Sequence, residues 1–186
     1  MNASPNLTRA PDLQVSRWFN TDQDITLSSL RGKVVVIEAF QMLCPGCVSH
    51  GLPQAIEIAG IFSPANVQVL GLHSVFEHHT AMQPHALKAF LHEYGIPFPV
   101  AVDAHDDAER TPIPKTMQAY ALQGTPSLLV IDRAGHLRIN HFGQVSDMRI
   151  AAEIAKLVYE AGSGLDDLDP DHPGPALGCT PDGGCR

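Results

Sequence analysis

Two cysteines three residues apart, Cys44 and Cys47, close the run Val34-Val-Val-Ile-Glu-Ala-Phe-Gln-Met-Leu43. Thiols at this spacing can cycle between dithiol and disulfide, hold a metal together with two further ligands, or sit inert. The flanks favour the first. The apolar run reads as a buried strand, and the residues after Cys47 can form a helix. The pair therefore lies where a strand meets a helix N-terminus. Unpaired backbone N–H groups and the helix dipole at such an end stabilise a thiolate. A lowered thiol pKa makes the first cysteine nucleophilic near neutral pH, and the second can close an intramolecular disulfide. That is the layout of a dithiol–disulfide exchanger. The metal alternative needs more ligands, and His73, His78, His79 or the distant pair Cys179 and Cys185 are the residues that could supply them.

A chain of 186 residues fits one domain with extensions, and an apolar content of 44% is ordinary for a globular protein. The formal charge of −8 excludes nucleic acid and anionic membrane as main partners. Part of that charge sits near the C-terminus, at Asp166, Asp167, Asp169, Asp171 and Asp182. No apolar run approaches the roughly 20 residues of a membrane span. The first residues, Met1 to Pro11, lack the apolar segment of a secretory signal, so a cytoplasmic address is expected. Four cysteines in two close pairs suit two local devices better than a secreted staple framework.

The elements that must position the pair follow from the pattern. Residues 1–16 are polar, carry Pro5 and Pro11, and read as a loose lead-in. Trp18-Phe19 and Ile25–Leu27 read as short strands, followed by a helical turn at Ser28–Leu30. Val34–Gln41 is the central strand, covered on both faces. A helix runs from Cys44 to about Ile61, with Leu52, Ile56, Ala59 and Phe62 facing inward and a kink forced by Pro53. Val67–Leu72 is a buried strand ending at His73. His85–Tyr94 is a helix, Phe98–Val102 a strand, and Asp103–Pro114 a loop. Lys115–Leu122 is a short helix. Ser127–Ile131 and Leu137–Phe142 form a hairpin around Asp132-Arg-Ala-Gly135. Ser146 or Asp147 caps a last helix reaching about Ala161. This order requires parallel pairing first and an antiparallel hairpin last, giving an α/β mixed sheet with helices on both faces. From Gly162 onward Gly, Pro and Asp dominate, and a domain of residues 1–162 is expected to carry a flexible tail, 163–186, ending in Cys179 and Cys185.

With these residues in place, the chain resembles the thioredoxin-like superfamily. Cys44-Pro-Gly-Cys47 matches its active-site motif, and Glu38, six residues earlier, lies where thioredoxins carry a buried acid. Gly124-Thr125-Pro126, directly before a strand, resembles the cis-proline loop. The long segment between the first helix and Pro126 is similar to the TlpA/ResA-type branch. Trp18-Phe-Asn20, Leu30-Arg-Gly-Lys-Val34 and Gly71-Leu-His-Ser74 are similar to the thioredoxin domains of NHL-repeat proteins. Some positions depart. Leu43 stands in place of the usual tryptophan, and Pro53 comes six residues after Cys47 rather than five.

The resemblance implies a thioredoxin-like three-layer sandwich and a thiol–disulfide oxidoreductase without an organic cofactor or a bound metal. It implies Cys44 as nucleophile, Cys47 as resolving thiol and Glu38 as proton acceptor. An acid inside Val-Val-Val-Ile-x-Ala-Phe agrees, because burying a carboxyl is costly. Thr125 and Pro126 would share a cis bond and offer backbone groups to a substrate chain. His73 would end its strand near the dithiol, most simply as a hydrogen-bonded structural histidine, and His78-His79 would be a solvated loop. Cys179 and Cys185 form a possible redox relay: about 16 linking residues reach roughly 20–25 Å if flexible. The implied partners are protein disulfide substrates and an electron-donating reductase. The rival activities are peroxide reduction, for which Gln41 stands where a threonine is needed, and copper or zinc delivery through Cys44, Cys47 and His73.

Overall fold

The computed structural model describes residues 8–105 and 113–160. Six strands form one mixed sheet: β1 (Val15–Phe19), β2 (Val34–Phe40), β3 (Val67–His73), β4 (Val100–Asp103), β5 (Ser127–Ile131) and β6 (Leu137–Phe142), in the order β1-β4-β3-β2-β5-β6. β2 is parallel to β3, and β3 to β4. The remaining neighbours, β1 with β4, β2 with β5 and β5 with β6, are antiparallel. Every residue of β2 is buried, as a central strand covered on both faces requires.

Side-chain alternation divides the core into two layers. Val34, Val36 and Phe40 point to one face with Val67, Val69 and Val130, where they meet α1 (Leu52–Ile61), α2 (Pro84–Glu93) and α4 (Asp147–Tyr159). Val35, Ile37 and Ala39 point to the other with Leu70, Leu72 and Leu129. They meet α3 (Lys115–Ala119), Leu27, Leu30 and the N-terminal segment. Helices thus cover both faces, unevenly.

Three local expectations are corrected. The lead-in is docked from Thr8 onward: Leu137 N–H donates to the Thr8 carbonyl at 3.0 Å and Ala10 N–H to the Gly135 carbonyl at 3.0 Å. Ala10 is buried beneath this strap. Residues 25–27 are not a strand. Thr26 and Ser29 bond each other through side chain and backbone, which closes a turn and competes with extended pairing. The first helix is not α-helical throughout. Cys47–Gly51 is a π-helical turn, and α1 starts at Leu52 with Pro53 in its first turn, where a missing N–H costs nothing. The inward residues of α1 are Leu52, Ala55 and Ile58; Ile56, Ala59 and Phe62 flank that stripe, half-buried or nearly so.

The hairpin between β5 and β6 turns at Asp132–Gly135. Asp132 accepts the amides of Ala134 at 3.0 Å and His136 at 2.8 Å. Gly135 has φ +90°, and a side chain there would run into the Arg31 guanidinium. Ser146 precedes α4 as expected but makes no side-chain cap; Gln54 on α1 reaches the Asp147 carboxylate instead. The tail expected from residue 163, with Cys179 and Cys185, lies outside the described residues, as does most of the polar loop before α3.

Candidate active site

β2 ends at Phe40, and Gln41 to Gly46 carry the chain over to the π-turn. Cys44 N–H donates to the Gln41 carbonyl at 3.2 Å, which folds the intervening residues into a tight turn. Cys44 and Cys47 form a disulfide, with their Cα atoms 5.2 Å apart. The two sulfurs differ in environment: Cys47 is fully buried, whereas Cys44 is half-buried. The Cys47 amide points at the Cys44 sulfur at 3.2 Å. In the reduced protein that N–H and its neighbours would stabilise negative charge on Cys44. Cys44 Sγ also lies 3.5 Å from the Thr125 carbonyl oxygen.

The Thr125–Pro126 bond is cis. The proline ring fills the space left by two glycines of the active-site segment. A Cβ on Gly46 would lie 3.3 Å from Pro126 Cδ, and one on Gly51 would lie 3.1 Å from Pro126 Cβ. The loop is further held by Gly143 N–H donating to the Pro126 carbonyl at 2.9 Å. Next to it, the Phe142 ring stays 49% exposed over Gly124. Leu43, beside the nucleophile, is 56% exposed. The edge that carries Cys44 therefore presents exposed apolar groups beside a half-buried cysteine.

Glu38 lies in the middle of β2, opposite Gly71 on β3 and Leu128 on β5. It is buried on the face that also holds Cys47, and its Oε1 has no hydrogen-bond partner. Burial holds its carboxyl well above the usual range. Gly51 packs directly on this carboxyl, its Cα pointing where a Cβ would meet Glu38 Cδ at 3.0 Å. A cleft of about 130 Å³ opens beside them, with Glu38, Gly51, Pro126 and Leu128 in its wall and Gln54 and Gln144 among the outer residues.

His73 ends β3 opposite Phe40, with the two rings 5.3 Å apart. It is buried, but neither ring nitrogen has a hydrogen-bond partner, which corrects the expected hydrogen-bonded histidine. Burial lowers its pKa to about 4, so it is neutral across the physiological range. His78 lies in a turn with φ 49°, and His79 meets His105 edge to face, so that neither pairs with His73. Among the described residues, no three His, Cys, Asp or Glu side chains lie close enough together to hold a metal ion.

Two contributors had no assigned role in the sequence. The Gln41 side chain is buried, accepts the Phe76 amide at 3.2 Å and reaches Glu77 at 3.4 Å. It ties the approach to Cys44 to the loop after β3; a polar residue continuing a buried strand was the available signal. The contact of Gly51 with Glu38 depends on the π-turn, which no local pattern in the sequence signals.

The AhpC/TSA family model matches residues 7–139. The crystal structure of a protein described as thioredoxin-like superfamily protein SPOA0173 is 58% identical, with a TM-score of 0.80, over 84% of this chain and 99% of that one. A thiol-disulfide isomerase from Corynebacterium glutamicum is 50% identical, with a TM-score of 0.77, over 81% of this chain and 97% of that one. Among curated proteins, Protein DipZ of Mycobacterium bovis and of Mycobacterium tuberculosis is 27% identical over 93% of this chain. The chain spans only 23% of the length of these mycobacterial relatives. The fold is thioredoxin-like. Among the described residues, no helix is long and apolar enough to cross a membrane.

Proposed function

The chain belongs to the AhpC/TSA family and has a thioredoxin-like fold, and we propose that it is a thiol-disulfide oxidoreductase whose Cys44–Cys47 pair exchanges disulfides with protein substrates. The observation that carries this reading is the asymmetry of the pair. Cys44 is half-buried and faces a backbone amide, while Cys47 is fully buried on the sheet face that also holds the buried Glu38.

In the reducing direction, the Cys44 thiolate attacks a substrate disulfide and releases one substrate thiolate. Glu38, as carboxylate, takes the Cys47 proton. The Cys47 thiolate then attacks Cys44 Sγ, closes the disulfide and releases the second substrate thiolate. The Thr125 carbonyl, 3.5 Å from Cys44, is placed to accept an N–H from an extended substrate strand, with Pro126 shaping the groove. Leu43 and Phe142 flank that groove with apolar surface, which suits an unfolded or loop segment more than a small polar disulfide.

The cycle needs an electron-donating reductase to return the pair to dithiol, and no organic cofactor. In a cytoplasmic setting the couple works as a reductant. Residues 1–162 act as the catalytic domain in this reading. Cys179 and Cys185, in the segment 163–186, can serve as a relay that passes electrons to Cys44.

Insulin reduction by the full chain tests the core of this reading. Cys44→Ser abolishes turnover, and retained activity refutes the assignment. Cys47→Ser traps substrate, or a relay cysteine, on Cys44 as a mixed disulfide that mass spectrometry identifies. Absence of any adduct with Cys179 or Cys185, together with unchanged turnover after deletion of 163–186, removes the relay. A peroxide assay run in parallel separates disulfide exchange from peroxide reduction.

A further inference from the structure

Between Cys47 and Pro53 the chain forms a single π-helical turn, Cys47–Gly51. Such turns are uncommon and concentrate at functional sites. Here the turn places Gly51 against the Glu38 carboxyl. An added Cβ would overlap Glu38 Oε1 and sit 3.0 Å from Cδ and 3.1 Å from Pro126 Cβ. Glu38 Oε1 is buried and has no hydrogen-bond partner among the described residues. A buried carboxyl oxygen without a protein partner calls for water.

The adjoining cleft can supply it. Its volume of about 130 Å³ exceeds what a single water needs, and Glu38 and Gly51 are part of its wall. Its outer residues are polar: His50 from the π-turn, Gln54 and Glu57 from α1, Gln144 before α4 and Asp147 in α4. Cys44, Cys47 and Thr125 do not line it, and it shares Pro126 with the substrate-facing edge as a common wall.

We propose that this cleft is the route by which Glu38 exchanges its proton with solvent, and that Gly51 keeps the route open by having no side chain. Gly51 is then a positioning residue. The inference rests on Glu38 being the proton acceptor for Cys47. In the step concerned, the Cys47 S–H proton moves to the Glu38 carboxylate and the Cys47 thiolate forms a bond to Cys44 Sγ. The bond from Cys44 to the substrate sulfur breaks, and its electron pair leaves on the substrate thiolate. The Glu38 acid gives its proton to cleft water and so to solvent, which regenerates the carboxylate while the substrate still occupies the other edge. His50, Glu57 and Asp147 are the titratable side chains that line this path beside Glu38 itself.

The test is the rate at which the full chain resolves mixed disulfides on Cys44 over repeated turnovers, each of which needs Glu38 to have released its proton, in H₂O and D₂O, between pH 5.5 and 9. Glu38→Gln, Gly51→Ala and Gln54→Phe are compared with the parent; the last fills the cleft from its outer side on a half-buried helix position. The expected result is a loss of about 100-fold or more in Glu38→Gln, the lower end of the range for a positioned proton acceptor, and a loss in the same direction in the two cleft variants. In Gly51→Ala and Gln54→Phe the solvent isotope effect also rises and the pH profile flattens. If Glu38→Gln resolves at the parent rate, the acid has no role and the underlying reading fails. If Glu38→Gln is slow while the two cleft variants keep the parent rate, isotope effect and profile, the route alone is overturned. Should Gly51→Ala not fold, Gln54→Phe decides by the same criteria.

Discussion

Replacing His73 with leucine should change how stability depends on pH, by an amount the structure sets. The imidazole is buried against Phe40, and both nitrogens lack partners. Its pKa falls from 6.5 in a solvated chain to about 4 in the folded protein, because burial disfavours the imidazolium. Between those values the unfolded chain binds a proton that the folded one does not, so stability is full above pH 6.5 and is lost as the pH falls toward 4. At about 1.4 kcal/mol per pH unit, this one residue removes roughly 3 kcal/mol over that window. Leucine cannot titrate and leaves no orphaned nitrogen. Its advantage over the parent should therefore grow by roughly 3 kcal/mol between pH 7.5 and pH 4. Urea unfolding of the oxidised proteins at half-unit pH steps measures it. Glu38 and Asp103 also titrate, but they are present in both proteins and cancel in the difference. Parallel stability curves for parent and His73→Leu would show that the ring is solvated or hydrogen-bonded, and would refute the reasoning.

Glu38→Gln should stabilise the fold at alkaline pH while slowing catalysis. Burial raises the Glu38 pKa, so the stability of its neutral form is complete below the unfolded value and is lost as pH rises through the folded one. Glutamine stays neutral, and thermal melts at pH 5 and pH 9 should diverge in its favour only at the higher pH. Asp103→Ala should be costly. Its carboxyl accepts the amides of Thr116 at 2.8 Å and Met117 at 3.0 Å and the Ser74 hydroxyl at 3.0 Å, all buried. Stranding three donors predicts a loss of about 3 kcal/mol or more in denaturant unfolding, with Asp103→Asn recovering part of it.

Much of this site could be read from residue order. A strand of consecutive buried residues leading into Cys44 marks both the centre of the sheet and the place of the dithiol. The acid inside that strand has no exposed face to turn to, so its burial was legible too. Other features depend on contacts that no local pattern carries. The strap at Thr8–Ala10 forms because the 135–137 hairpin offers it backbone groups far along the chain. Thr26 and Ser29 look compatible with extended structure until their side chains satisfy a turn. Pro53 reads as a kink under α-helical numbering, but the π-turn moves it into the first turn of α1. His73 carried a polar label into a buried site beside Phe40 where neither ring nitrogen finds a hydrogen-bond partner among the described residues. Cys179 and Cys185 lie outside the described residues.

Both ends of the described body converge on the β5–β6 hairpin. Thr8 and Ala10 bond there, Arg133 donates to the Val158 carbonyl at 3.0 Å, and Arg138 pairs with Glu160 at 2.7 Å. Arg133 also accepts, through its own carbonyl, the Gly32 amide at the opposite end of the central strand from the disulfide. A bead, an electrode or a fluorescent label joined near residue 8 or residue 160 would thus hang from the base of the molecule. Immobilised protein would then display its reactive sulfur outward and remain open to macromolecules in solution.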